Sequence, residues 1–316
     1  MPDATIDVTQ AQYFIPEIWG NYALPILRSV IFAAPRVLKD SDVASFTVGD
    51  VLHVPYPGTL ATNDKSAGTD YQLSQPAGEG EVQVTLDHHK HVTINVEDIV
   101  RAQSSYNVMD IYARAQVIAL AEKIEADILA AIAAGAVVER DGSTPRTAST
   151  IGTYGTDLGA AALRLASKTM TDNKAPQVDR SMVVSTKDWS ALLADTALQT
   201  YFAYARSQAV AGGDLGPIYG FQMAESQLVA QSSTSILTST NNLAWTKDGV
   251  MLAMRGLPEP PPGSMAQRYT VQDDISGLVL SVLMGYDIRR GGVQVSFEAL
   301  YGCKVLEPAK TLLVKS

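Results

Sequence analysis

Cysteine is almost missing from this chain of 316 residues, where Cys303 stands alone. That excludes an internal disulfide framework and an all-cysteine zinc site, and it fits a protein made in a reducing compartment. Long hydrophobic runs are missing too. Nowhere do eighteen apolar residues follow one another, so no membrane-spanning helix is expected. The opening MPDATIDVTQ carries acids where a signal peptide would carry bases, which points to synthesis in the cytoplasm. Positive charge is scarce: 24 Lys and Arg against 33 Asp and Glu leave a net charge of −9. A surface of that sign does not grip nucleic acid or anionic lipid by counterion release.

Catalytic signatures are equally sparse. No Gly-x-Ser-x-Gly elbow occurs, and GTYGTDLG at 152–159 lacks both the spacing of a dinucleotide fingerprint and the Lys-Ser/Thr of a phosphate loop. Carboxylate pairs such as Glu79/Glu81 and Asp273/Asp274 fall in polar turns, and no histidine follows His91. The expectation is a protein without catalytic residues, bound metal or cofactor. What the chain does have is bulk, since 46% of its residues are hydrophobic, enough for a sizeable core.

Residues 1–42 read as an arm. Pro16, Pro25 and Pro35 limit helices to short pieces, while Phe14, Ile18, Trp19 and Leu24 need a surface to cover. From Val43 to Val96 the apolar period is two, through Leu52/Val54/Tyr56, Val82/Val84/Leu86 and Val92/Ile94/Val96, which predicts strands. Between them lies the polar, Gly/Pro-rich stretch 57–80, the tip of a ribbon that needs outside support. A helix of about 40 Å follows, capped at Ser105 or Asn107 and stopping before Gly135. Its apolar stripe is Val117, Leu120, Ile124, Ile128 and Ile132, with Glu122, Glu125 and Asp127 largely off it.

Beyond a linker-like loop at 140–156, a helix is predicted over 157–170 and a buried strand over 181–185. Thr186 then caps a helix around Trp189, and a short strand begins at Phe221. The Pro-rich segment 257–263 is a stiff connection. Long strands at 277–288 and 293–305 then meet across Arg289-Arg290-Gly291-Gly292 as a hairpin.

DHHKHVTINVED, residues 87–98, holds three of the four histidines. On a strand His89 and His91 share a face and His88 points away, so the cluster offers two metal ligands locally. His53 on the opposing limb, with Asp87 or Glu97 in reach, would complete a site. The other reading is the polar end of a strand.

The order of these elements resembles the major capsid proteins of tailed phages, which share the Hong Kong 97-type fold. The segments that carry the likeness are PEIWGNYALPIL, HVPYPG with VTLDHHKHVTINVEDIV, AEKIEADILAAIAA, RSMVVSTKDWSALLAD and GPIYGFQMAES. The resemblance implies an α+β fold divided into an N-terminal arm (1–42), an E-loop ribbon (43–96), a peripheral domain with a spine helix (97–139), an axial domain (140–257) and peripheral return strands (258–316). It implies self-assembly through pentamers and hexamers into an icosahedral shell around double-stranded DNA, held without tight specific binding. It also implies a portal, a decoration protein and, because the arm starts near Met1, a separate scaffolding protein as partners. No membrane is involved, and the product is a virion component assembled in the host cytoplasm.

Subunit contacts are then expected at Phe14, Trp19, Leu24, Asn63, Asp64, Lys65, His89, His91, Asp273 and Asp274. The histidines would serve as polar contacts that tune assembly between mildly acidic and neutral pH. Some relatives cross-link an E-loop lysine to an asparagine. Lys65 lies near the ribbon tip, but 265–276 contains no asparagine, so no covalent mesh is expected. Two other readings stay open: an encapsulin-type compartment on the same fold, and a metal-dependent enzyme built on His53, His89 and His91.

Overall fold

The computed structural model describes residues 31–40, 51–58, 60–74, 78–99, 108–140, 144–146, 150–199, 216–234, 237–261, 264, 266–272 and 278–316. Phe14, Trp19, Leu24, Asp273, Asp274 and the expected caps Ser105 and Asn107 lie outside the described residues. In chain order the elements begin with a one-turn 3-10 helix (Ala34–Arg36), β1 (Leu38–Asp40), β2 (Val51–Tyr56), β3 (Gly80–Thr85), β4 (His88–Glu97) and α1 (Val108–Ala136). Next come β5 (Thr150–Ile151), α2 (Ala160–Asp172), β6 (Arg180–Val184), α3 (Thr186–Ala194), β7 (Phe221–Glu225), β8 (Gln231–Thr234) and β9 (Leu237–Thr246). The chain closes with β10 (Val250–Arg255), β11 (Ala266–Gln272), β12 (Val279–Asp287), β13 (Gly292–Val305) and β14 (Thr311–Lys315).

The 29 residues of α1 span about 44 Å at 1.5 Å per residue. Their stripe Val117, Leu120, Ile124, Ile128 and Ile132 is buried, as the period requires. Glu125 is buried with the stripe, because residues 32–34 cover that flank of the helix. Gly135 does not stop the helix; it lies inside it, where a β-carbon would sit 2.6 Å from Cβ of Val305. The glycine is there for close approach of helix and strand.

Two sheets sandwich this helix. The first runs β1-β10-β13-β12-β11, with β4 paired along the other edge of β13. Val92, Ile94, Val295, Phe297, Val282 and Leu252 turn one face of it into the cluster around α1. Gln116 of α1 fastens the seam, donating to the carbonyls of Val92 on β4 and Val295 on β13. The second sheet runs β5-β14-β9-β6-β7, with β8 on β9. Alternation along β9 divides its side chains: Leu243 and Trp245 join the α1 cluster, while Ala244 joins Leu163, Met170, Trp189 and Leu192 of α2 and α3 on the far side. A strand buried on both faces reads as one apolar run, which is why β6 was recognisable.

Local details differ from expectation in three places. Ser185, not Thr186, caps α3, its hydroxyl accepting the Asp188 N–H. The loop at 140–156 contains β5, laid parallel to β14. The histidine strand does not continue the ribbon: β2 pairs with β3, whereas β4 pairs with β13 over its whole length. Val92, Ile94 and Val96 need cover on one face, and the α1–β13 core supplies it.

Candidate assembly surface

The base of the ribbon rests on its own subunit. Leu52, Val54, Val84 and Leu86 pack on Met251 and Ala253, the side chains of β10 that point away from α1. At the neck, the Arg140 guanidinium lies 4.4 Å over the Tyr56 ring and pairs with Glu307. The support that the sequence demanded is therefore intramolecular for the lower half of the ribbon.

The tip is bare. Leu60 is 67% exposed, Tyr71 82% and Leu73 93%. It nevertheless holds a shape. Asn63 donates to Ser74 Oγ at 3.0 Å, Ser74 donates to the Ala61 carbonyl, and Thr69 N–H bonds Ser66 O. Lys65 Nζ sits 4.7 Å over the Tyr71 ring. Asn63 is thus an internal brace, Lys65 a cover for one aromatic face, and neighbouring Asp64 points no apolar surface anywhere. The residues with area to offer are Leu60, Tyr71 and Leu73, which sequence reasoning passed over because isolated apolar residues in a polar loop have no period.

The histidines separate. His53 faces Glu81 on β3, Nδ1 to Oε1 3.0 Å, and its register partner is Gln83. Hydrogen bonds from Gln83 and His53 hold the Glu81 carboxyl below its ordinary range. His88 stacks on Tyr301 with ring centroids 5.3 Å apart, while His89 and His91 share the opposite face at 6.4 Å. Among the described residues no three His, Cys, Asp or Glu converge as a metal site. The pairing of β4 with β13 removes His53 from the other histidines.

His91 begins instead a polar ladder across the sheet face turned away from α1. Its Nδ1 lies 3.1 Å from Thr93 Oγ1, Thr93 bonds Ser296 at 2.7 Å, Ser296 reaches Glu298, and Arg268 pairs with Glu298 at 2.8 Å. Beside it a groove of about 230 Å³ is lined by Leu283, Gly285, Tyr286, Gln294 and Ser296. Tyr286 and Ile288 stand exposed at its end.

Three interior polar hubs went unread in the sequence. Asp188 Oδ2 accepts from the hydroxyls of Ser185, Thr240 and Ser316 and the Asn242 amide. Burial pushes that carboxyl up, but the four donors outweigh it and hold it below the ordinary range. Tyr301 donates to Asp127 at 2.7 Å, and burial followed by that bond raises its phenol well above ordinary. Burial and then Asp127 push the Cys303 thiol up to about 12, which disfavours the thiolate. The third hub is Glu125.

No helix among the described residues is long and apolar enough to cross a membrane. A family model described as phage capsid protein matches residues 81–308. Among solved structures, the chain is similar to one titled Mycobacterium phage Che8, with 16% identity, TM-score 0.61 and 90% of each chain covered. It is similar also to the capsid of Cyanophage P-SCSP1u, with 18% identity, TM-score 0.64 and coverage of 90% of this chain and 87% of that one. A virus-like particle from Pyrococcus furiosus aligns at 8% identity and TM-score 0.52 over 94% of this chain and 98% of the other. No curated protein matches.

Proposed function

The chain belongs to the phage capsid protein family and has the Hong Kong 97-type fold of a major capsid protein; from that premise we propose how its surfaces build the shell. Copies associate as pentamers and hexamers, and the ribbon tip of each lies on a neighbour. The observation that carries this reading is the tip itself, a braced loop that presents Leu60, Tyr71 and Leu73 to solvent. Covering each would contribute about 1.5–3 kcal/mol before ordering costs, and a closed lattice repeats the gain at every subunit.

The arm, with Phe14, Trp19 and Leu24, reaches a neighbour in the same way, and Asn63, Asp64, Lys65, His89, His91, Asp273 and Asp274 lie at or beside the contacts. The partition into arm, ribbon, peripheral and axial parts follows the family pattern. A net charge of −9 suits a wall that confines DNA without adhering to it. A separate scaffolding protein, a portal and a decoration protein complete the particle, which forms in the host cytoplasm and has no enzymatic step of its own.

The test is Leu60→Ser/Tyr71→Ser/Leu73→Ser in one chain. The variant is expected to keep the parent's circular dichroism yet to stay as free subunits by sedimentation, while the parent forms shells. Shells from the variant at parental yield would refute the role of the tip. An encapsulin-type compartment would use the same fold, and nuclease-protected DNA in purified particles separates a genome container from it.

A further inference from the structure

Glu125 flanks the apolar stripe of α1, on the side that residues 32–34 bury. It is 2% exposed and lies beside Ala121, Ile124 and Ile128 in the main core cluster. A carboxylate in such a place is costly unless it is hydrogen-bonded. Its donors come from the far end of the sequence. Oε1 accepts the backbone N–H of Ala33 at 2.7 Å and of Phe32 at 3.2 Å. Those amides lead into the one-turn helix Ala34–Arg36, whose own N-cap residue, Ala33, has no side-chain cap to offer. Glu125 caps that turn from another element.

The turn is a junction. Ile31, Ala33, Ala34 and Val37 are buried in the main core, and the two alanines let the backbone come close to α1. Trp245 of β9 donates its indole N–H to Arg36 O at 3.0 Å and meets the Phe32 ring edge-on at 6.5 Å. Arg36 stacks 3.8 Å over Phe32, donates to its carbonyl, and reaches Gln222 of β7 at 3.2 Å. Immediately after, β1 pairs in parallel with β10. Residues 31–40 are thus fastened to α1 and to both sheets, and they join the first thirty residues to the body.

We infer that Glu125 is a positioning residue for assembly: by holding the Phe32 and Ala33 amides, it fixes where the arm leaves the subunit and so where the arm meets a neighbour. The inference rests on the shell reading above. Burial, the largest influence, pushes the Glu125 carboxyl up, with the amides of Ala33 and Phe32 and the charge of Arg36 pulling it back.

The experiment compares full-length Glu125→Met and Glu125→Gln with the parent by hydrogen exchange and by shell yield. Met leaves no acceptor, so exchange at Phe32 and Ala33 should rise about 10- to 100-fold, with β6 and α2 protected as before. Gln retains a neutral acceptor, and the rise should be about 3- to 10-fold. Shell yield or uniformity should fall in the same order, Gln recovering part of what Met loses. Unchanged exchange at Phe32 and Ala33 in both variants would overturn the latch. Faster exchange with parental shells would overturn its role in positioning the arm. If the parent itself forms no shells, the shell reading fails, while the exchange result still judges the latch.

Discussion

Gly135→Ala tests how closely the long helix is clamped to the return strand. A β-carbon at that position would stand 2.6 Å from Cβ of Val305, about 1 Å inside ordinary carbon contact. Val305 cannot step aside freely, since it is 7% exposed and its strand is paired there with Val250 of β10. Overpacking of this kind costs roughly 1–3 kcal/mol, whereas alanine in a helix interior gains about 1 kcal/mol over glycine. The two effects have opposite sign, and the structure predicts that packing wins, for a net loss of about 1 kcal/mol. Val305→Ala alone should also destabilise, by roughly 1–2 kcal/mol, through the cavity it leaves. In the double variant the new methyl enters that cavity, so the combined loss should fall short of the sum by about 1 kcal/mol or more. Urea midpoints measured in the assembly-deficient tip background report on the subunit alone. A more stable Gly135→Ala, or strictly additive losses in the double variant, would refute the reasoning.

Asp188→Asn should cost about 3 kcal/mol at neutral pH, because four donors lose a buried charge. The Asp188 carboxyl is held below its ordinary range, so its contribution is present above pH 4 and lost as pH falls through the folded value. Denaturant midpoints of parent and variant should therefore converge in acid. Glu125 has the opposite sign: its folded value is raised, so its contribution is greatest below about pH 4.5 and is lost as pH rises through the folded value. The parent should lose ground to Glu125→Gln over that window, and a difference independent of pH would contradict the burial argument. Denaturing electrophoresis of assembled shells should give a single subunit band, since Lys65 packs on Tyr71 and 265–276 has no asparagine; a ladder of multimers would show cross-linking.

The parts of the fold legible in the sequence were those with a period. The stripe Val117 to Ile132 marked α1, and the alternation of Val92, Ile94 and Val96 marked β4. Pairing was not legible beyond the second limb, because nothing near residue 90 shows that its partner lies some 200 residues later, and the ribbon, whose second limb is β3, was accordingly run on through β4. VMLAMR of β10 and TLLVK of β14 are buried on both faces and alternate in nothing; by period alone such short apolar runs cannot be told from buried helix, whereas β6 was bounded by the start of α3. Glu125 read as lying off the apolar stripe and Asp188 drew no reading, since the chain that buries each comes from a distant segment. At the site, Lys65 and Asn63 were visible as unusual residues on a loop. The apolar residues they brace, Leu60, Tyr71 and Leu73, became visible only with the tip folded.

An electron cryomicroscopy map of particles assembled from the parent chain tests the central claim most directly. Closed shells are expected in which Leu60, Tyr71 and Leu73 of every subunit are covered by a neighbouring copy, while the ribbon base stays on its own β10. Shells in which those three side chains face solvent, as they do in the single subunit, would contradict it.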